Sequence, residues 1–438
     1  MNRLWKLCHE KLLARRFVRH VGILAGGTAV AQGLIVVSMP VLSRLYDPAD
    51  FGVLAIYLAF VAIPSVTATF KYEQAIVLPR RDHDGASLLL VSVALAGMVG
   101  AGLWLILWLW GGPLLALVNT PELADWLPLV PVSIVALGVY QSFSFWCTRR
   151  KRAGIIGATR ILQSVTVISI QLYAGVFLQA PVAGLIVAHV AGQLTAAAVL
   201  GARVLWLDGP LVRRGWQWRR MRLLALRYKK YPIYSGWPSL LNGLTLQLPA
   251  LFFKTYFDAT VTGYYFFVSR ILGLPTQLIG LAMAQVFLQK VAETKSRGQR
   301  TSGLVERAFG SLLLIGLVYL AAVCVLSLCF GLVFGDHWRA AGLFALILAP
   351  SFVAKFVCSP LSLLFGVYDR QELQAAWKVV SLLVLAGTLA VSLSWGSFTA
   401  SVIALSAVNV VTYAALVYMN FVVSESRFRN IFSFARRG

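Results

Sequence analysis

The stretch that decides the fold is LDGPLVRRGWQWRRMRLLALRYKK, residues 207–230, near the middle of the chain. Eight of its 24 residues are Lys or Arg, whereas the sequence on either side of it is strongly apolar. Soluble proteins carry about 25% charged residues, but this 438-residue chain carries 13%, with 59% hydrophobic residues and a net charge of +23. So much charge fits so apolar a chain only if basic residues gather at the ends of apolar segments. Residues 207–230 are therefore predicted to be a basic connection between two halves of a membrane protein.

Apolar runs recur on both sides of this connection, and each is about as long as the ~20 residues that cross a bilayer core. The predicted spans before it cover residues 21–43, 51–70, 87–110, 127–147, 156–177 and 182–206, and those after it cover 237–256, 263–287, 309–334, 340–367, 376–393 and 398–422. The sequence thus predicts an all-α polytopic membrane protein with twelve transmembrane helices in two six-helix bundles. The predicted divisions are a basic tail (1–20), an N-terminal bundle (21–206), a basic linker (207–236), a C-terminal bundle (237–422) and a second tail (423–438).

The basic residues are distributed unequally between the two sides of the predicted membrane. Of the 39 Lys and Arg, 34 fall on one side, together with both tails and the linker. Arg44, Lys254 and Arg339 fall on the other side, and Arg270 and Lys355 fall inside spans, away from the cytoplasmic ends. Cytoplasmic loops carry an excess of Lys and Arg, so both termini are predicted to be cytoplasmic.

Several classes of function are disfavoured by what the sequence contains. It has no P-loop, no His-Glu-x-x-His, no Gly-x-Ser-x-Gly and no paired-carboxylate site, and its five cysteines follow no metal-binding spacing. We therefore predict no catalytic residues, no metal and no cofactor. The positive charge is explained by loops that orient the chain and contact anionic lipid, so nucleic acid is not an expected partner.

The two halves repeat a pattern of residues. The first half reads Pro40, Arg44-x-Tyr46, Gly52 and Pro64, and the second reads Pro249, Lys254-x-Tyr256, Gly263 and Pro275. Twelve residues separate the glycine from the last proline in both halves. Because each half has an even number of spans, the halves share one orientation. Parallel repeats of this kind occur in secondary transporters, whose substrate sites lie where the repeats meet.

Two basic residues lie inside predicted spans and away from the span ends. Arg270 is about 10 Å from the outer end of its span and Lys355 about 22 Å from the outer end of its own, at 1.5 Å per residue. A charge at the centre of a helix costs about 2.5–3.5 kcal/mol on insertion scales, and it usually faces a cavity or a partner. Neither residue has an acidic residue three or four positions away. Both therefore indicate a site for an anion.

The spans that begin each half carry further basic residues. Arg44 and Lys254 end the first span of each half at the outer surface, and Lys71 closes the second span near the cytoplasm. If these spans line an interface, they form a cationic cavity with Arg270 and Lys355 that suits a phosphate or diphosphate. Snorkelling of the side chain to the interface is the alternative role for Arg44 and Lys254.

One acidic residue is a candidate for gating or coupling. Glu73 follows Lys71 closely and is the only carboxylate that the sequence places close to the membrane in the first half. It is therefore the candidate proton-carrying or gating group. Pairing with a neighbouring cation is the alternative role, and the sequence leaves both open.

Short motifs recur in order along nearly the whole chain. They are residues 42–52 (LSRLYDPADFG), 71–79 (KYEQAIVLP), 160–163 (RILQ), 263–265 (GYY), 269–275 (SRILGLP), 285–287 (QVF), 334–339 (FGDHWR) and 359–361 (SPL). In these motifs the chain resembles the polysaccharide or O-antigen repeat-unit flippases of the Wzx type. That family belongs to the multidrug/oligosaccharidyl-lipid/polysaccharide exporter superfamily.

The resemblance implies a V-shaped exporter fold in which spans one, two, seven and eight line the cavity. It implies transport of an undecaprenyl-diphosphate-linked oligosaccharide from the cytoplasmic to the periplasmic leaflet of the bacterial inner membrane, by alternating access. By this resemblance Arg44, Lys71, Arg270 and Lys355 match positions that are usually basic, and Glu73 one that is usually charged. Lys71 and Lys355 stand where arginine is more common. Membrane lipids and polysaccharide polymerase or assembly proteins are the further expected partners.

Two other functions compete with this hypothesis. A drug or cation exporter of the same fold is expected to have a coupling carboxylate deep in a helix, and the sequence offers Glu73 alone. An enzyme such as an O-antigen polymerase or ligase is expected to have a large periplasmic loop with catalytic arginines. Every predicted outward loop is short, the longest being about residues 111–126.

Overall fold

The computed structural model describes residue 22 and residues 26–299, 301–368 and 370–424, so the predicted tail 1–20 and most of the tail 423–438 lie outside the described residues. Within these ranges the chain is almost entirely helical and contains no strand. Ten of the described helical segments are long and apolar enough to cross a membrane. The prediction of an all-α polytopic membrane protein is confirmed.

The first half contains helices α1 to α8. Their bounds are α1 Gly26–Leu45, α2 Pro48–Ser65, α3 Tyr72–Ala75, α4 Asp82–Leu117, α5 Leu129–Arg149, α6 Ala153–Tyr173, α7 Pro181–Gly215 and α8 Trp218–Arg227. A 3-10 turn, Pro121–Trp126, precedes α5, and a π-helical turn, Ala174–Leu178, follows α6.

The second half contains helices α9 to α17. Their bounds are α9 Lys230–Tyr256, α10 Ala259–Pro275, α11 Leu281–Ser296, α12 Ser302–Leu328, α13 Phe330–Phe334, α14 Arg339–Leu361, α15 Leu364–Val367, α16 Gln371–Ser392 and α17 Phe398–Val423. The predicted spans 237–256 and 263–287 are helical, but α9, α10 and α11 are not among the ten candidate membrane spans. The second of these spans is also interrupted, because the π-helical turn Thr276–Gly280 separates α10 from α11.

The chain forms two compact units. The first unit comprises Met1–Tyr46 and Ile56–Gly243, and the second comprises Asp47–Ala55 and Leu244–Gly438. The core of the first unit is built on Trp146, Leu88 and Leu200 from α5, α4 and α7. The core of the second unit is built on Phe356, Phe421 and Leu312 from α14, α17 and α12. Residues 207–236, predicted as a linker, are occupied by the end of α7, by α8 and by the start of α9.

Two glycines of the repeated pattern make a close helix crossing within the second unit. A β-carbon at Gly52 would lie 1.9 Å from the carbonyl oxygen of Ala259, and one at Gly263 would lie 1.7 Å from that of Pro48. The contacts are reciprocal, since the same sequence offset separates Gly52 from Gly263 and Pro48 from Ala259. The start of α2 and the start of α10 are therefore related by a pseudo-twofold. The spacing seen in the sequence corresponds to this packing.

Helix α10 ends in a break that a neighbouring helix stabilises. Pro275 has no N–H to donate, and the N–H of Thr276 bonds the carbonyl of Gly273 instead of that of Leu272. The carbonyl of Leu272 is therefore left without its usual helical partner. The Tyr319 hydroxyl of α12 donates to it at 2.7 Å. A side chain from another helix thus satisfies the polar group that the break releases.

This bond gives a prediction for the stability of the second unit. Tyr319→Phe keeps the ring but leaves the Leu272 carbonyl unpaired, so we expect the free energy of unfolding to fall by about 1–3 kcal/mol. Thermal unfolding of the purified full-length protein measures the change. Tyr256→Phe, at an exposed tyrosine, is the matched control and should leave the transition unchanged. Equal transitions for the two variants would refute a stabilising role for the bond.

Candidate functional site

The predicted site residues of the first unit lie in the last turn of α1, just before α3, and in α3. Arg44 is exposed in the last turn of α1. Lys71 lies between α2 and α3 in the left-handed backbone region, with φ of 61°. Glu73 is 2% exposed in α3, and it accepts a hydrogen bond from the hydroxyl of Thr69. Glu73 is therefore a buried carboxylate with a hydroxyl partner.

The predicted site residues of the second unit lie on three helices. Lys254, in the last turn of α9, is only 5% exposed, so its side chain is enclosed by protein. Arg270 is partly buried in α10 and makes no hydrogen bond or ion pair with any residue that the structure describes. Lys355 is partly buried in α14. Two helix-borne cations of this unit thus lack an acidic partner among the described residues.

Lys355 lines a cavity inside the second unit, which we call the Lys355 cavity. Its walls come from α9, α10, α14, α16 and α17, and its volume is about 70 Å³. The polar groups that line it are Thr245, Tyr265, Ser351, Lys355, Asn409 and Tyr413. No Asp or Glu of the described residues lines it. Arg44, Lys71, Glu73, Lys254 and Arg270 do not line this cavity either, so the six-residue site stays a prediction.

The ammonium of Lys355 has little to compensate its charge within the protein. The Nζ atom lies 5.7 Å from the centre of the Phe352 ring, a cation–π contact at the outer end of the useful range. No described carboxylate lies within ion-pair distance of it. Unpaired charge in a membrane-spanning helix usually faces a cavity or a ligand. The arrangement is therefore suited to an anion.

The first unit also contains a cluster of arginines and aspartates that the sequence did not predict. We call it the arginine–aspartate cluster; its members are Asp82, Arg149, Arg150, Arg152 and Asp208. Arg149 and Arg150 pair with Asp82 at 2.9 and 2.7 Å, and Arg152 pairs with Asp208 at 2.6 Å. Arg150 also reaches Asp208 at 3.5 Å and so links the two acids. The cluster connects the start of α4, the end of α5 and the kink of α7.

Asp208 corrects the prediction that Glu73 is the only carboxylate near the membrane in the first half. It lies inside α7, which is a candidate membrane span, and it is 5% exposed. Its backbone is non-helical, with φ of −126° and ψ of 15°, so α7 bends there. The indole N–H of Trp146 donates to it at 3.0 Å. The nearby Pro210 was the one sequence signal of this bend.

Helix α8 packs against the first unit by a short apolar face. Met221 and Leu224 are buried, while Arg220 reaches Asp84 at 3.4 Å. The Tyr72 hydroxyl donates to the carbonyl of Ala225 at 2.9 Å, and burial raises the pKa of this phenol, so it stays a donor. The predicted linker is therefore held by specific contacts where it forms α8.

A further basic residue links two helices of the first unit. Arg160, which the sequence assigns to the cytoplasmic end of the span 156–177, lies in the second turn of α6 and is partly buried. Its guanidinium donates to the Thr28 hydroxyl of α1 at 2.5 Å. About one turn from this bond, Gly27 and Gly157 allow α1 and α6 to approach closely. A β-carbon at Gly27 would lie 2.6 Å from the Cα of Gly157. Arg160 therefore fastens α1 to α6.

Comparison with known proteins places the chain in a family. Residues 41–342, more than half of the chain, match the family described as "Polysaccharide biosynthesis protein". The chain belongs to this family. It is 24% identical to the succinoglycan biosynthesis transport protein ExoT of Rhizobium meliloti (strain 1021) over an alignment of 431 positions, which covers 95% of this chain and 82% of that protein.

Solved structures identify the fold of this family member. It superposes on the lipid II flippase MurJ, in an inward closed conformation, with a TM-score of 0.73 and 10% identity over 93% of this chain and 88% of that one. It superposes on an inward-facing multidrug resistance MATE transporter of the MOP superfamily with a TM-score of 0.72 and 14% identity over 92% and 93% of the chains. The chain is a multi-pass membrane protein with the exporter fold.

Proposed function

We propose that this protein flips an undecaprenyl-diphosphate-linked oligosaccharide, the repeat unit of a polysaccharide such as O-antigen, from the cytoplasmic to the periplasmic leaflet. We further propose that it works by alternating access in the bacterial inner membrane, with both termini in the cytoplasm. The family description and the similarity to a succinoglycan biosynthesis transport protein support a polysaccharide cargo. The resemblance to a lipid II flippase in fold supports a lipid-linked form of it.

The observation that carries the proposal is the unpaired positive charge of the second unit. Arg270 and Lys355 lie on helices of a membrane protein, and no described carboxylate pairs with either. A diphosphate is the charged part of the proposed cargo, and cations bind it through charge-assisted hydrogen bonds. Binding energy of this kind offsets the cost of keeping the cations in the membrane.

The remaining predicted residues take secondary roles in the proposal. Arg44, Lys71 and Lys254 would attract the diphosphate and its glycan at the ends of the helices. Glu73 would gate or couple transport, because it is a buried carboxylate whose partner is the Thr69 hydroxyl.

A drug or cation exporter is the second candidate, since a multidrug transporter shares the fold. A cationic cargo requires an exposed or cavity-facing carboxylate as its partner. The Lys355 cavity has a cation instead, and none of the described residues that line it is acidic. The sign of the charge therefore favours an anionic cargo.

The proposal is tested by following lipid-linked repeat units in cells that lack this protein. We expect them to accumulate in the cytoplasmic leaflet and to reach the periplasm again when the wild-type gene is restored. Delivery that is unchanged by the deletion would contradict the proposed function. A gain of sensitivity to cationic drugs, with normal delivery of repeat units, would support the exporter alternative instead.

Substitution of Arg270 tests the role of the cations. Arg270→Gln removes a charged hydrogen bond worth about 1.5–3 kcal/mol, so we expect transport to fall about tenfold or more. The measurement is the rate of delivery of repeat units, normalised to the amount of inserted protein. Arg297→Gln is the matched control, because this arginine is 64% exposed and pairs with Glu293. Equal transport by both variants would rule out a role for Arg270 in binding the cargo.

A further inference from the structure

The Lys355 cavity has the size of a small ligand. Its volume is about 70 Å³, and a second hollow of about 30 Å³ shares Thr245, Leu385, Asn409 and Tyr413 with it. A water-sized group needs about 10–15 Å³ by this measure of volume, so the main cavity holds about five such groups. A phosphate ion has five non-hydrogen atoms, so the cavity has room for one phosphoryl group.

The chemistry of the cavity selects for negative charge. Lys355 supplies one positive charge, and none of the described lining residues supplies a negative one. The hydroxyl of Tyr413 and the amide of Asn409 form no hydrogen bond with any described residue, so both have donors available for a ligand. The Ser351 hydroxyl donates to the carbonyl of Leu348 and is already used.

We propose that the Lys355 cavity is a binding site for a single tetrahedral phosphate oxyanion. Lys355 neutralises one charge of the anion as a point charge, and Tyr413 and Asn409 donate hydrogen bonds to its oxygens. Two sources have this chemistry: free inorganic phosphate, and one phosphoryl group of the cargo lipid. The second source rests on the function proposed above, whereas the first does not.

The site is tested with the purified full-length protein in detergent and with inorganic phosphate as the probe. A ligand that binds the folded state raises the unfolding temperature in proportion to ln(1 + [L]/Kd). We expect phosphate to raise it for the wild type, at constant ionic strength against chloride, and to raise it no further than chloride does for Lys355→Met. Lys378→Met is the matched control, since Lys378 lies on α16 and does not line the cavity. It should keep the full response.

A second variant keeps the test valid if Lys355→Met does not fold. Tyr413→Phe removes one donor and keeps the ring, and we expect the apparent Kd for phosphate to rise about two- to tenfold, the effect of one hydrogen bond. The proposal is overturned if phosphate does not stabilise the wild type. It is also overturned if the Lys355 and Lys378 variants respond equally.

A farnesyl diphosphate arm distinguishes the two sources of the anion. If the cargo lipid supplies the phosphoryl group, farnesyl diphosphate competes with phosphate, and Lys355→Met weakens both. If free phosphate is the ligand, farnesyl diphosphate does not compete. A cell that delivers repeat units normally without this protein, together with a purified protein that binds phosphate through Lys355, would overturn the proposed function and leave the site standing. Delivery that needs the protein, with no phosphate response, would overturn the site alone.

Discussion

Replacing Gly263 by alanine is expected to lower the stability and the yield of the folded protein strongly. The new β-carbon would lie 1.7 Å from the carbonyl oxygen of Pro48, far below the 3.0 Å under which such contacts essentially never occur. Because the obstacle is backbone, the start of α10 and the start of α2 must separate. Separation also pulls apart the rings of Phe51 and Phe267, whose centres lie 5.4 Å apart. Overpacking usually costs about 1–3 kcal/mol, and we expect at least the upper end of this range.

The yield of monodisperse full-length protein after extraction, and its unfolding temperature, measure the effect. Gly52→Ala should reproduce it, since its β-carbon would lie 1.9 Å from the carbonyl oxygen of Ala259. Gly303→Ala in α12 and Gly387→Ala in α16 are the matched controls, because a β-carbon at either meets nothing within 4 Å. Alanine favours a helix over glycine by up to about 1 kcal/mol, so the controls should be neutral or stabilising. Four variants of equal yield would disprove the helix crossing.

The two glycines also show how much of the fold can be predicted from the sequence. The spacing of Gly52 from Pro64 equals that of Gly263 from Pro275, and this repeat predicts related helix pairs. The spacing does not show which residue each glycine packs against. The close approach joins backbone atoms about two hundred residues apart, and hydrophobic periodicity within a helix does not report such a contact. The sequence therefore predicts the pattern, and only the packing explains it.

The predicted site was less complete than the fold, and the reasons lie in tertiary contacts. Lys254 looks like a residue at a helix end that reaches solvent, but it is only 5% exposed. The cavity around Lys355 is built from five helices, and its neutral members, Asn409 and Tyr413, carry no charge that marks them in the sequence. Charges that break the positive-inside pattern are visible from the chain alone. The uncharged donors that complete a site become visible only when the helices are packed.

Asp208 shows that tertiary contacts also decide where a helix ends. The sequence places it in the basic linker, because it follows a predicted span and precedes a run of arginines. In the structure α7 bends at this residue and continues to Gly215. The bend is held by the partners of the carboxylate on α5 and in the turn after it, Trp146, Arg150 and Arg152. A local composition rule ends the helix too early, since the contacts that extend it are remote in sequence.

The same contacts make Asp208→Ala the second variant with a large expected effect. The substitution leaves the indole N–H of Trp146 without an acceptor and removes the main partner of Arg152. Removing one member of a buried ion pair costs about 3–5 kcal/mol. We expect about 3 kcal/mol, because the side chains of Arg150 and Arg152 are 30% and 29% exposed, and water replaces part of what they lose.

The loss is measured as a lower unfolding temperature of the full-length protein, and two further variants separate its causes. Asp208→Asn keeps an acceptor for Trp146 but removes the charge, so its unfolding temperature should lie between those of the wild type and Asp208→Ala. Asp84→Ala removes one partly exposed contact of 3.4 Å with Arg220 and should cost less than about 1 kcal/mol. If Asp84→Ala and Asp208→Ala unfold at the same temperature, the arginine–aspartate cluster is a surface feature that does not stabilise the bend of α7. If Asp208→Asn and Asp208→Ala unfold at the same temperature, the charge of Asp208 accounts for the stabilisation, and the hydrogen bond from the Trp146 indole adds little.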